Sequence, residues 1–152
     1  MNIKKTIAVL AAGLCMAGGS ARAEDMVLSK AGATELIQGD IGKPYWIMEA
    51  ECAGSFGAAY AFQKARHRDE AAEQFKAAGI SLLNDAVARL QTDRGLDQAD
   101  ALNLAAEEVE VGRANVRHAL ERQGAGENSY FNFLRSACLD ISAAQRRQVT
   151  SR

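Results

Sequence analysis

The sequence predicts an all-α fold: a single antiparallel four-helix bundle closed by one disulfide. Three observations carry that prediction. Alanine is abundant, with Leu, Glu, Gln and Arg beside it, and these residues lose least on entering a helix. Four stretches repeat apolar side chains at intervals of three and four, the period of one helical face. Val, Ile, Thr and the aromatic residues never alternate over a useful length, so strand signals are scarce.

The helices are expected near 44–66, 69–94, 97–123 and 128–146. Pro44 suits the first helical position, where its missing N–H would be unpaired anyway. Trp46, Ala50, Ala53, Gly57 and Tyr60 then form one face, with Cys52 and Phe56 on its flank. Glycine in a helix costs roughly 1 kcal/mol against alanine. Gly54 and Gly57 are therefore expected either to let a neighbouring helix approach or to line a ligand cleft. A turn is needed near His67-Arg68-Asp69, with Asp69 as a cap for the second helix and Gly95 as its stop. Asp97 and Asp100 resemble a capping box for the third helix, with Leu96 as a staple. Gly124-Ala125-Gly126 ends that helix, and Asn128 or Ser129 can cap the fourth. Residues 24–43 read as an irregular leader, in which Ser29 could start a short helix through Leu36-Ile37 that Gly39 ends. The bundle domain is expected over 44–147, and the tail 148–152 to fray.

The first 23 residues have the layout of a signal peptide. Lys4 and Lys5 precede an apolar run to Met16, and Ala21-Arg22-Ala23 is a small-x-small cleavage site. Lys4, Lys5 and Arg22 would leave with that segment and no acid would, so the formal charge moves from −1 to −4. The expected place is the periplasm, with full secretion as the alternative and no stable membrane anchor after cleavage. Mild acidity disfavours nucleic acid, whose binding rests on cationic contacts to phosphate. Cleavage also removes Cys15. An even pair, Cys52 and Cys138, then reads as a disulfide in an oxidising compartment. Bundle order requires those two cysteines on adjacent helices.

Little in the sequence carries catalysis. His67 and His118 do not follow glutamate at the spacing that di-iron bundles use. Met48 with His118 as haem ligands rests on no motif. Glu49 and Glu51 stand two apart and point in different directions, while Glu107, Glu108 and Glu110 suit a solvated face. No nucleophile elbow, phosphate loop or zinc motif occurs. The expectation is a non-enzymatic exported protein without a cofactor or metal. It would act by protein binding as a scaffold, assembly factor or inhibitor, its partner being another envelope protein. A bundle binding a small molecule, metal or haem is one alternative, and an envelope-stress chaperone another. Trp46, Gly54, Gly57 and Phe133 are the expected contact residues. Tyr130, Phe131 and Phe133 cannot all face one core, which leaves Phe133 exposed or packed on the leader.

Overall fold

The structure, a computed structural model, describes residues 24–123 and 127–151. The expected signal peptide and the turn at 124–126 lie outside the described residues, as do the side chains of the expected caps Asn128 and Ser129. The described chain is all-helical: α1 Tyr45–Ala65, α2 Asp69–Arg94, α3 Gln98–Gln123 and α4 Glu127–Thr150. Cys52 of α1 and Cys138 of α4 form a disulfide, their Cα atoms 5.8 Å apart.

Most helix ends obey the expected local chemistry, with three corrections. Pro44 is the residue before α1 rather than its first, because its ψ of 138° is extended. Its carbonyl accepts from the amides of Ile47 and Met48, and Met26 supplies an acceptor for the Tyr45 amide. The turn at 66–68 lacks glycine but has the hydrogen bonds of a Schellman cap. The Arg68 amide reaches the Gln63 carbonyl at 3.0 Å and the His67 amide that of Lys64 at 3.0 Å. His67 takes the left-handed conformation, φ 56°, that glycine usually fills. Asp69 is the first residue of α2 rather than its cap, and its carboxylate accepts from Lys64 Nζ at 2.8 Å. Gly95 ends α2 at φ 65° as expected. Asp97 caps α3, its Oδ1 accepting from the Asp100 amide at 2.9 Å. The third correction concerns the tail, which is helical to Thr150 instead of frayed from 148. Tyr45 Oη donates to Gln148 Oε1 and Gln148 Nε2 donates to the Val27 carbonyl, which fixes that last turn.

Packing is organised around α1, which touches each of the other three helices. Its buried residues cover more than one face: Tyr45, Met48, Cys52 and Phe56 on one side, Trp46, Ala50 and Ala53 on another. Cys52 and Phe56 are therefore core residues, not flanks. One cluster joins Met48, Cys52 and Phe56 to Leu82 of α2 and to Cys138 and Ile141 of α4. A second joins Trp46 and Ala50 to Leu90 of α2 and Ala105 of α3. A third joins Ala59, Val116 and Phe131 near the other end of α1.

The leader belongs to this core. The short helix expected from Ser29 to Ile37 does not form. Ser29 instead closes a turn, accepting from the Gly32 amide through both its carbonyl and its hydroxyl, and a three-residue 3-10 helix spans Gln38–Asp40. Met26, Leu28 and Ile37 are buried in one cluster with residues of α1 and α4, while turn hydrogen bonds such as Leu28 to Lys43 and Gly42 to Leu28 hold the leader backbone itself.

Two glycines set the distance between α1 and α3. A Cβ on Gly54 would overlap the backbone of Val109, and one on Gly112 would overlap the backbone of Glu51. The helices thus cross backbone to backbone, each through the other's missing side chain, and Ser55 Oγ donates to the Gly112 carbonyl at 3.2 Å. Gly57 is different, because its nearest neighbour would be the Arg113 guanidinium at 3.7 Å. Gly54→Ala should therefore cost about 3 kcal/mol from overpacking. Gly57→Ala should gain up to ~1 kcal/mol from helix propensity. Urea unfolding of the two variants reads the difference, and equal midpoints would refute the crossing.

Candidate binding groove

Beside the Gly54–Gly112 crossing, open space remains between residues of α1 and α3. On α1 the gap is lined by small residues, Gly57, Ala58 and the exposed Ala61, which do not fill it. Phe62, Val116 and Leu120 form apolar walls, and Arg113 and Arg117 stand at its edge. This groove has a volume of ≈490 Å³. A smaller one of ≈200 Å³ continues it past Gly57 and Arg113, bounded by Phe75, Ile80 and Leu83 of α2. The charged residues lining the two spaces are Lys76, Arg113 and Arg117, all cationic. Arg113 is half-buried and donates to Glu110 at 2.6 Å.

The four expected contact residues separate sharply. Gly57 lines both spaces. Gly54 is consumed by the helix crossing. Trp46 is buried, its Nε1 donating to Asp25 at 3.2 Å and the Arg94 guanidinium lying 4.9 Å from its ring centre. It ties the leader to α2 and has no open face for a partner. Phe133 is 53% exposed, whereas Phe131 packs against Phe62 and Phe75.

Met48 and His118 are not brought together. Met48 is buried in the first cluster, and His118 is exposed on α3. Ala59 packs level with Val116, which puts His118 roughly 20 Å along α1 from Met48 at 1.5 Å per residue. One iron cannot take both. Among the described residues no group of three His, Cys, Asp or Glu is placed to hold a metal ion. No described helix is long and apolar enough to cross a membrane.

Sequence reasoning missed Glu49. It is fully buried, and neither carboxyl oxygen has a hydrogen-bond partner among the described residues. Burial, and secondly Asp85, push its pKa up from 4.5 to about 8, against the pull of Arg89 and Arg146. A neutral carboxyl avoids most of the cost of burying a charge. Arg89 is committed elsewhere, to Asp93 at 2.9 Å, and Asp93 in turn accepts from the Met26 amide at 2.8 Å. Glu51, two residues on, faces outward enough to bind Lys43 at 2.6 Å. The expected divergence of the pair is real, but a period alone does not say which member is sealed in.

No protein-family model, curated protein or solved structure matches this chain.

Proposed function

We propose that this chain is an exported periplasmic protein that acts by binding, not by catalysis, and that the groove beside Gly57 receives a small, largely apolar ligand. The observation that carries this reading is the groove: ≈490 Å³, lined on α1 by residues too small to close it. Small-molecule sites commonly occupy roughly 300–1,000 Å³ and are mostly apolar with few polar groups. A stable protein interface needs about 800 Å² from each partner, which favours the small ligand for this groove.

The scaffold in this reading is an antiparallel four-helix bundle in up-down-up-down order. Three pairs support it for α1 and α4: Tyr45 with Gln148, Cys52 with Cys138, and Phe62 with Phe131. As one helix ascends, the other descends. The short connection around Gly95 reverses α2 into α3 in the same way.

Binding of a partner envelope protein is the second reading, favoured by the exposure of Phe133 on α4. One preparation tests both. Mature protein taken from the periplasm should begin at Glu24 by mass and should bind the neutral dye Nile red. Gly57→Leu, which fills the groove, should abolish dye binding while the melting temperature holds. Unchanged dye emission in that variant would remove the groove from the proposal. A photocrosslinker in place of Phe133 should then form a protein adduct of defined mass if the second reading is right, and none if it is wrong.

A further inference from the structure

We infer that the groove ligand is a single-chain amphiphile with one anionic head, such as a free alkyl carboxylate, and that Arg117 holds the head. The inference rests on the groove being a ligand site. Its own support is charge. The charged residues lining both spaces are cations, in a chain whose formal charge is −1. Two of the three are already engaged: Arg113 with Glu110 at 2.6 Å and Lys76 with Glu73 at 3.4 Å. Arg117 is exposed and makes no hydrogen bond or ion pair among the described residues. It sits one turn beyond Arg113, on the same wall as Val116 and Leu120.

That arrangement sorts a ligand end to end. The side chains of Ala58, Ala61, Phe62, Val116 and Leu120 offer no hydrogen bond to a polar group, so an alkyl chain belongs against them. A carboxylate at the mouth would gain the planar fork of Arg117, which matches its two oxygens, while remaining partly hydrated. A cationic amphiphile would meet Lys76, Arg113 and Arg117 without a compensating acid among the lining residues.

The test uses the mature chain with its disulfide intact, and three probes of equal chain length: decanoate, decanol and decyltrimethylammonium. Titration calorimetry reads affinity, and NMR shifts of Ala61, Val116 and Leu120 methyls read location. Decanoate should bind about tenfold more tightly than decanol, the scale of one charge-assisted hydrogen bond in partial solvent. Arg117→Gln should reduce decanoate to the affinity of decanol and leave decanol within about twofold, because an exposed side chain contributes little to the fold. Added salt should weaken decanoate alone.

If decanol and decanoate bind alike in the groove, the anionic head is refuted and the apolar site survives. If no probe shifts the three methyls, the groove reading itself falls, and this inference with it. Binding to phosphatidylglycerol vesicles while monomeric decanoate stays silent would place the acidic chemistry on a lipid surface and overturn the free-ligand assignment.

Discussion

Stability should fall as pH rises from 5 towards 8, and Glu49→Gln should remove most of that fall. Glu49 is raised in the folded protein to about 8 from 4.5. Its contribution is therefore complete below pH 4.5, where both states hold the proton. Above that, the unfolded chain ionises while the folded one does not, and stability is lost by up to about 1.4 kcal/mol per pH unit. The loss ends near the folded value and sums to as much as ~5 kcal/mol. Asp85, also raised by burial, has the same sign. Asp25 is lowered, chiefly by its hydrogen bond from Arg94, so its stabilisation is lost only as pH falls below the ordinary range. The two effects occupy different windows. Urea midpoints of wild type and Glu49→Gln across pH 5–9 measure the difference. Gln keeps the shape of the neutral acid, so the curves should meet near pH 5 and separate above it. Parallel curves at all pH values would show that Glu49 is ionised in the fold.

The second large effect is expected from the disulfide. Cys52→Ala with Cys138→Ala removes a link that closes 86 residues. In the chain-entropy model that costs roughly 4–5 kcal/mol. Total stability of a small domain is commonly ~5–15 kcal/mol, so the variant should retain only a modest margin. The loss should be uneven. α4 packs chiefly on α1, with additional ties to the leader through Thr34–Asp140 at 2.6 Å and Val27–Gln148 at 3.2 Å. Without the disulfide, amides of α4 should exchange with solvent earliest, while the α1–α2 pairing persists. An unchanged urea midpoint, or equal loss of protection in all four helices, would refute this account.

If the groove is the ligand site we propose, both effects reach function only indirectly. Val116 and Leu120 wall it, and Val116 shares a cluster with Phe131 of α4. Loosening α4 therefore loosens one wall of the site. Glu49 lies elsewhere on α1, with charged groups of α2 and α4 beside it. Its protonation bears on whether the helices stay assembled, not on the proposed site.

Much of the local structure was written in the sequence. A helix is stabilised by neighbours three and four residues away, so the stripes and the end signals at Gly95 and Asp97 reveal where α2 stops and α3 begins. The even cysteine pair likewise implied the bond that joins α1 to α4. The tertiary structure alone decided which faces were sealed. Gly54 and Gly57 are three residues apart and chemically identical, yet one meets the Val109 backbone and the other faces a groove. Glu49 and Glu51 differ only by position, yet one is buried without a partner and the other pairs with Lys43. The leader has no period to read, but Met26, Leu28 and Ile37 complete the core. The physical reason is the same in each case. Helix formation is a short-range property of the chain, whereas burial depends on which distant segment arrives opposite, and α1 receives the leader and all three other helices.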